Sequence, residues 1–465
     1  MKRFLTLWVL AVLAVVAVRA QQAKYVFYFI GDGMGLNQVN TTEMYKAELE
    51  GRIGTEQLLF GSFPAAGMAT SYSATNSITD SAAGGTALAT GSKTYNGAIG
   101  VDKDRNPLES VAYRAKKSGK KVGIATSVSI DHATPASFYA HQADRNMYYE
   151  IACELPQSGF DFFAGAGLLK PEKTADGKKA TNVCSIIEDA GYTIARGMEQ
   201  YREKAPEADK ILLLQEEGAA ADALPYAIDR EEGDMSLEQI TRSAIDFLSK
   251  DNKKGFFLMV EGGKIDWACH ANDAAATFNE VIDMDNAIAI AYDFYKKHPK
   301  ETLIVITADH ETGGLGMGRS GYVLNLKALG CQKVSEVGLS KLITDLRKHD
   351  HPTWEQAKAV LASSMGFWDK LPLTWEQERM LHDVFHSSLV ENKVKFTTSL
   401  YSKTEPLASA AKQVMSQIAR LGWTTGDHTA EFVPVYAVGA CSELFMGKMD
   451  NTDIPKRIAK AARYK

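Results

Sequence analysis

Cysteine is scarce in this chain, and basic residues are not concentrated anywhere along it. Five cysteines are scattered through 465 residues, and because their number is odd at least one stays unpaired within the chain. A disulfide is permitted in an oxidising compartment, but the spacing gives no pairing. Lysine and arginine are spread along a chain of net charge −5, so nothing indicates a nucleic-acid partner. Internal repeats and low-complexity segments are also missing, which argues against a structural or adhesive surface protein.

Long apolar runs are absent except at the N-terminus. Lys2 and Arg3 precede an apolar, uncharged segment at 4–18, and Val18 and Ala20 are small residues at the two positions that a signal peptidase reads. We therefore expect residues 1–20 to be a signal peptide and 21–465 the mature domain of a periplasmic or secreted protein. The segment is too short to span a membrane comfortably, so a retained anchor is the weaker alternative. No cysteine lies near the cleavage point to carry a lipid.

Apolar segments rich in β-formers alternate with helical patterns through most of the chain. Strands are predicted at 25–30, 122–126, 256–260, 303–307 and 433–438, and helices at 108–118, 236–249 and 274–295. The first strand is apolar at nearly every position, as expected when both faces are buried. The alternation predicts an α/β fold, a three-layer α/β/α arrangement with a mostly parallel central sheet.

Residues 320–425 differ in character, with several helical patterns and few strand signals. Thr353 and Thr374 each begin a Thr-Trp-Glu-Gln sequence, the pattern of a capping box that opens a helix. We expect a helical insertion beside the sheet edge, as a cap or an interface element. His382 and His386 could share a metal at i,i+4 spacing, but no acid is matched to them, and a solvated helix face is preferred.

Acidic and imidazole side chains follow four of the predicted strands. In open α/β sheets, ligands bind outside the carboxyl ends of the strands, so these side chains are predicted to meet in one site. They are Asp32 after the first strand, Asp131 and His132 after the second, Glu261 after the third, and Asp309 and His310 after the fourth.

The same site can hold metal ions. Asp266 and His270 are four residues apart, which places both on one face of a helix. Mixed carboxylate and imidazole donors suit Zn²⁺. The zinc-type donors are too many for one ion and point to two zinc ions: Asp32, Asp266, His270, Asp309, His310 and His428. Glu261, the hydroxyl of Thr134 and a shared Asp32 are hard oxygen donors, which suit Mg²⁺.

Ser81 lies in the small-residue stretch 79–91, where Thr79 or Asp80 is a credible N-cap. Ser81 would then occupy the first turn of a helix, whose free N–H groups and dipole favour an anion such as phosphate. Taken alone, the stretch is more simply a capped, Ala/Gly-rich helix, and only the surrounding metal-ligand candidates favour catalysis.

Six motifs together resemble those of the alkaline phosphatase family. They occur in the family's order from about residue 24 to about residue 440. The motifs are Gly31-Asp32-Gly33-Met34-Gly35, Asp80-Ser81-Ala82, His132-Ala133-Thr134-Pro135, Val260-Glu261-Gly262-Gly263, Thr307-Ala308-Asp309-His310-Glu311 and Gly426-Asp427-His428-Thr429. The resemblance implies hydrolysis of small phosphate monoesters to alcohol and inorganic phosphate, through a phosphoserine at Ser81, and a homodimer as the assembly.

The resemblance also implies a role for each site residue. Arg145 would hold two phosphate oxygens in a bidentate fork, and Asp80 would orient Arg145. The implied ligand sets are Asp266, His270 and His428 for one zinc, Asp32, Asp309 and His310 for the second, and Asp32, Thr134 and Glu261 for magnesium.

The expected chemistry agrees with these roles. A serine hydroxyl is a weak nucleophile near neutral pH, and no histidine is placed for a triad, so zinc would lower the pKa of the Ser81 hydroxyl. A phosphodiesterase or sulfatase on the same metal-dependent fold remains an alternative, as does a non-catalytic phosphate- or metal-binding protein. Ser81 together with Arg145 favours a dianionic monoester, because a diester carries less charge and an extra group where the arginine would sit.

Two positions depart from the best-studied bacterial form of the family. By resemblance, His132 stands where that form has Asp, and Trp267 where it has Lys; both are expected to lie behind the direct metal ligands. Replacing an acid with histidine removes a negative charge near the third metal site. We therefore expect weaker Mg²⁺ binding than in an Asp-bearing form.

Overall fold

The computed structural model describes residues 22–319, 321–348, 352–393, 396–398 and 401–465. The expected signal peptide at 1–20 lies outside the described residues. Among the helices of the described ranges, none is long and apolar enough to cross a membrane.

The described residues form a central sheet of ten strands. In chain order these are β1 (Tyr25–Gly31), β2 (Ala65–Thr70), β3 (Lys121–Thr126), β4 (Phe162–Ala164), β5 (Thr193–Arg196), β6 (Ile211–Leu214), β7 (Phe256–Gly262), β8 (Thr302–Thr307), β9 (Val433–Gly439) and β10 (Gly447–Asp450). Their order across the sheet is β10-β2-β9-β8-β1-β7-β3-β4-β6-β5. All five strands predicted from the sequence are present, and the α/β fold is confirmed.

The sheet is parallel apart from β9, which runs antiparallel to both β2 and β8. β1 lies at the centre between β7 and β8, and its residues are buried on both faces. The register places Ile30 beside Glu261 on one side and beside Thr307 on the other. The residues that follow these three strands therefore emerge at the same level of one sheet edge.

Helices pack against the sheet in two groups. The helices are α1 (Leu36–Leu49), α2 (Ser81–Thr90), α3 (Val111–Lys117), α4 (Ala133–Ala136), α5 (Tyr148–Glu154), α6 (Val183–Asp189), α7 (Gly197–Lys204), α8 (Leu237–Ser249), α9 (Lys264–His270), α10 (Ala274–Lys297), α11 (Glu336–Arg347), α12 (Trp354–Met365), α13 (Trp375–Phe385), α14 (Pro406–Ala419) and α15 (Asp453–Ala462). α8 packs on α10 and α3 packs on α15, and both pairs contact strands of the sheet. The helix predicted at 108–118 begins later, at Val111, because the Ser110 hydroxyl accepts from the Tyr113 N–H as its N-cap.

Helices α11 to α14 occupy the predicted insertion and share a second apolar cluster with Phe278 of α10. The two predicted capping boxes are present, at Thr353 with Gln356 and at Thr374 with Gln377. The His382 ring lies 5.2 Å from the Trp354 ring, centroid to centroid. Neither His382 nor His386 belongs to a metal-compatible group within the described ranges.

Candidate functional site

The carboxyl ends of the central strands bring three carboxylates together. Asp32 follows β1, Glu261 lies at the end of β7 and Asp309 follows β8, and all three side chains are fully buried. Asp131, which also follows a strand, is not part of this group, because its Oδ2 atom accepts from the Leu169 N–H at 2.8 Å. The predicted convergence therefore holds at all four strand ends, because His132, which also follows β3, lies with Asp32 and Glu261 although Asp131 does not.

Asp266, His270 and His428 form the first cluster of donors. Nε2 of His270 lies 3.3 Å from Oδ2 of Asp266 and 3.1 Å from Nε2 of His428. The Nδ1 atoms of the two histidines face backbone carbonyls, at 2.6 Å for His270 with Gly426 and 2.8 Å for His428 with Thr79. Each Nδ1 can donate a ring hydrogen to its carbonyl, which leaves the two Nε2 atoms facing each other and Asp266. When both rings are neutral, the two Nε2 lone pairs repel unless a cation lies between them.

Asp32, Asp309 and His310 form the second cluster, which includes Ser81. Nε2 of His310 lies 3.3 Å from both Asp32 Oδ1 and Asp309 Oδ2, and 3.2 Å from the Ser81 hydroxyl oxygen. Nδ1 of His310 faces the Thr312 hydroxyl at 3.2 Å. The histidine is thus close to the serine, but its second nitrogen lacks the carboxylate partner of a catalytic triad.

The spacing of these donors fits zinc. Ligands about 2.0 Å from a tetrahedral ion lie roughly 3.3 Å from one another. Four donor separations in the first two clusters, of 3.1 Å and 3.3 Å, match this value, and the separation of His428 Nε2 from Asp266 Oδ1 is somewhat longer, at 3.7 Å. Oδ1 and Oδ2 of Asp32 and Oδ2 of Asp266 are also buried without a hydrogen-bond partner. Buried carboxylate oxygens of this kind need a cation.

A third cluster consists of Asp32, His132 and Glu261, with Thr134 beside it. Nδ1 of His132 is 4.0 Å from Oε1 of Glu261, and both atoms are buried without a hydrogen-bond partner. The Thr134 hydroxyl lies 3.4 Å from Asp309 Oδ2. The donors are mostly hard oxygens, as Mg²⁺ prefers. His132, which the sequence placed behind the ligands, faces this site through Nδ1, which carries the ring hydrogen as long as Nε2 accepts from Arg145.

The electrostatics of the site follow from the crowding of buried carboxylates. Burial and the charge of Asp309 raise the pKa of Asp32 well above its ordinary value, and burial raises the pKa of Glu261 to about 7. Burial also acts to raise the pKa of Asp266, but His270, His428 and His310 together outweigh it and hold that pKa below the ordinary range. Bound divalent cations would remove the cost of keeping Asp32 and Glu261 ionised.

Helix α2 presents Ser81 to the second cluster. Asp80 is its N-cap and accepts from the Ala83 N–H at 3.0 Å. Two glycines let the helix approach closely: a Cβ on Gly84 would lie 2.9 Å from the Asp309 carbonyl oxygen, and one on Gly85 would lie 3.1 Å from Cα of Thr134. The close packing expected of the small-residue stretch is therefore present, and it brings the fully buried Ser81 against the metal-ligand candidates.

Arg145 lies beside this helix and donates to three partners. Nη1 donates to Asp80 Oδ2 at 3.2 Å, and Nη2 donates to His132 Nε2 at 3.2 Å and to the Tyr401 hydroxyl at 3.1 Å. Asp80 thus serves both as helix cap and as partner of Arg145, since each of its oxygens has a separate role.

The site includes three further residues that the sequence analysis did not single out. The Thr126 hydroxyl donates to Glu261, and the Thr312 hydroxyl donates to Asp266 Oδ1 at 2.5 Å. Tyr401 lies stacked on Trp267, with ring centroids 4.6 Å apart and ring planes 7° from parallel. Thr126 ends a predicted strand and Thr312 lies two residues after the predicted ligand His310, and these positions could have marked both as site residues. Tyr401 carries no such signal.

The whole predicted set lies in one region of the molecule. Every residue that the sequence assigned to the site lies in one of the three clusters or contacts a member of them: Asp32, Asp80, Ser81, His132, Thr134, Arg145, Glu261, Asp266, Trp267, His270, Asp309, His310 and His428.

Comparison with known proteins agrees with this arrangement. A model of the alkaline phosphatase family matches residues 23–167 and 159–464 of the chain. Alkaline phosphatase 3 of Bacillus subtilis is 33% identical over 453 residues, which cover 95% of this chain and 90% of the relative. Alkaline phosphatase 4 of the same bacterium is 36% identical over 385 residues, covering 81% of this chain and 75% of the relative.

Solved structures of similar proteins share the fold. The cold-active alkaline phosphatase of a psychrophilic Shewanella superposes with a TM-score of 0.79 at 30% identity, covering 94% of this chain and 99% of that one. A variant alkaline phosphatase of the Antarctic bacterium TAB5, with glutamate in place of a histidine and magnesium in its M3 site, gives a TM-score of 0.67 at 29% identity, covering 96% and 100%. The chain therefore belongs to the alkaline phosphatase family and is a phosphoric monoester hydrolase.

Proposed function

We propose that this chain hydrolyses phosphate monoesters in two displacements, with Ser81 as the residue that is phosphorylated. The observation that carries the proposal is the position of the Ser81 hydroxyl oxygen, 3.2 Å from Nε2 of His310 and at the N-terminus of α2. The hydroxyl thus adjoins a cluster of metal donors, and the helix dipole favours the negative charge of a phosphate there.

We assign the metal ligands as three sets. Bound zinc would supply Lewis acidity that lowers the pKa of the serine hydroxyl and of the hydrolytic water, and bound magnesium would balance the buried carboxylates. The histidine Nδ1 contacts to carbonyls keep the Nε2 lone pairs available. The sets are Asp266, His270 and His428 for one zinc, Asp32, Asp309 and His310 for the second, and Asp32, Thr134 and Glu261 for magnesium.

The chain's own groups carry the transfer of the phosphoryl group. Ser81 forms the bond from Oγ to phosphorus while the bond from phosphorus to the alcohol oxygen breaks, and water then hydrolyses the phosphoserine to release phosphate. Arg145 holds the phosphate oxygens, and Asp80 fixes the guanidinium plane through Nη1. The pair favours a dianionic monoester over a diester, because a second ester group would take the place of an oxygen held by Arg145.

A cavity beside the first cluster suits the alcohol part of the substrate. Its volume is about 390 Å³, and its walls include His270, Asn272, Glu336, Lys412 and Asp427. Because charged side chains of both signs line this cavity, we propose broad acceptance of small, polar alcohols rather than one apolar substrate.

The remaining assignments follow from the sequence and the family. We propose that residues 1–20 are a signal peptide, that the protein acts in the periplasm or outside the cell, and that it is a homodimer. We also propose that 320–425 is a cap on the site, since the hydroxyl of Tyr401 in this segment accepts a hydrogen bond from Arg145.

The test compares kcat/KM for an aryl phosphate monoester, an aryl phosphate diester and an aryl sulfate, before and after chelation and with Zn²⁺ and Mg²⁺ restored. The monoester is expected to dominate, and chelation to abolish its turnover reversibly. Ser81→Ala should lose turnover while metal analysis shows unchanged zinc content. A dominant diester rate, or turnover that survives in Ser81→Ala, would contradict the proposal.

A further inference from the structure

The guanidinium of Arg145 has most of its hydrogen atoms already engaged. An arginine side chain has five N–H groups, two on each Nη atom and one on Nε. In this structure Nη1 donates to Asp80 at 3.2 Å, and Nη2 donates both to His132 at 3.2 Å and to Tyr401 at 3.1 Å. Nη2 therefore has as many acceptors as it has hydrogens.

The engaged nitrogen is the one that a bidentate grip requires. A guanidinium can hold two oxygens of one anion through Nη1 with Nη2, or through Nε with Nη2. Both arrangements use a hydrogen of Nη2. Arg145 can consequently hold two phosphate oxygens only after one of the Nη2 bonds, to His132 or to Tyr401, is released.

Of the two acceptors, Tyr401 is the easier one to release. The His132 ring is 2% exposed, and its Nδ1 atom has no hydrogen-bond partner, so loss of the bond at Nε2 would leave both ring nitrogens buried and unpaired. Tyr401 is less buried than His132 as a residue, and its phenolic hydroxyl can also donate a hydrogen bond, so it does not depend on the arginine hydrogen alone.

We propose that Tyr401 is a positioning residue that competes with phosphate for Arg145, its hydroxyl giving up the Nη2 hydrogen each time the arginine takes hold of a phosphate oxygen. The inference rests on the proposed role of Arg145 as the phosphate ligand. The competition weakens the binding of substrate and of product phosphate alike, and it thereby assists product release. The stack on Trp267 keeps the Tyr401 ring in place, so the hydroxyl returns to Arg145 when phosphate leaves.

The test is Tyr401→Phe in the metal-loaded enzyme. Phenylalanine keeps the stack on Trp267 but cannot accept a hydrogen bond, so an Nη2 hydrogen becomes available to phosphate. We expect the inhibition constant for inorganic phosphate to fall about threefold to tenfold, the net contribution of one ordinary hydrogen bond, with a parallel fall in KM for an aryl phosphate. A gain in affinity is a readout that structural damage would not produce.

Tyr113→Phe is the matched control, because the Tyr113 hydroxyl donates to a backbone carbonyl, that of Tyr139, at 2.9 Å. Its phosphate inhibition constant should equal that of the wild type. An unchanged or raised inhibition constant in an active Tyr401→Phe enzyme would overturn the proposal. That outcome is distinct from failure of the proposed function, in which the wild-type enzyme itself would not turn over a phosphate monoester through Ser81.

Discussion

Removing the metal ions should leave Glu261 with a contribution to the stability of the folded protein that decreases as the pH rises. Glu261 is fully buried in the third cluster, and burial raises its pKa from 4.5 to about 7. A group whose folded pKa lies above its unfolded pKa binds more protons in the folded state, so unfolding becomes easier as the pH rises from about 4.5 to about 7. Above that range, the full loss of stability persists.

The size of the effect follows from the same pKa difference. Ionising Glu261 in the folded, metal-free protein costs about 3 kcal/mol, since each pKa unit corresponds to about 1.4 kcal/mol. For a chain of this length, the melting temperature should fall by about 3 °C between about pH 5 and about pH 8 from this residue alone. Burial also raises the pKa values of Asp32 and Asp309, which act in the same direction. It lowers the pKa values of His132 and His310, which act in the opposite direction, so the contribution of Glu261 is the difference between wild type and Glu261→Gln.

The assay is calorimetric melting of chelated and metal-loaded protein across this pH range. The metal-loaded protein should show no such fall, because metal ligands are held ionised and metal affinity increases as protons are lost. Chelated Glu261→Gln provides the matched control and should lose the part of the pH dependence that Glu261 contributes. A melting temperature that falls no more steeply in chelated wild type than in chelated Glu261→Gln would contradict this role of Glu261.

Two further variants test particular contacts of the site. His132→Asp should strengthen Mg²⁺ binding about tenfold, because it adds a negative charge beside Glu261 and Asp32. Magnesium titration of the zinc-loaded enzyme measures the affinity, and equal affinities of variant and wild type would contradict this expectation. Gly84→Ala should lower kcat/KM and destabilise the fold by about 1–3 kcal/mol, because the new Cβ would lie 2.9 Å from the Asp309 carbonyl oxygen and push α2 away. Wild-type activity in Gly84→Ala would show that α2 can approach Asp309 even with a side chain at residue 84.

The central part of the fold is readable from the sequence because buried parallel strands leave a strong signal. β1, β7 and β8 are continuous apolar runs, and the ligands that follow them are unusual residues to find at three strand ends. The short strands β4, β5 and β6 have three or four residues each, too few for an alternation of apolar and polar residues to be recognised. Helix boundaries depended on caps, as the start of α3 after Ser110 shows.

The metal-ligand residues could be named before the structure, whereas their contacts could not. His132 and Arg145 are thirteen residues apart in sequence, but Tyr401 and Arg145 are separated by 256 residues. No periodicity or spacing links the last pair, because this contact is made by tertiary packing between residues far apart in the chain. The helical character of that segment was predictable from its two capping boxes, and its position against Trp267 was not.

Trapping the phosphorylated enzyme tests directly whether Ser81 is the nucleophile. Metal-loaded protein is mixed with an aryl phosphate, quenched in acid and digested, and the peptides are examined by mass spectrometry, with Ser81→Ala treated in parallel. We expect one added phosphoryl group on Ser81 in the wild type and none in the variant. A phosphoryl group on another residue, or none at all during continuing hydrolysis of the monoester, would contradict it.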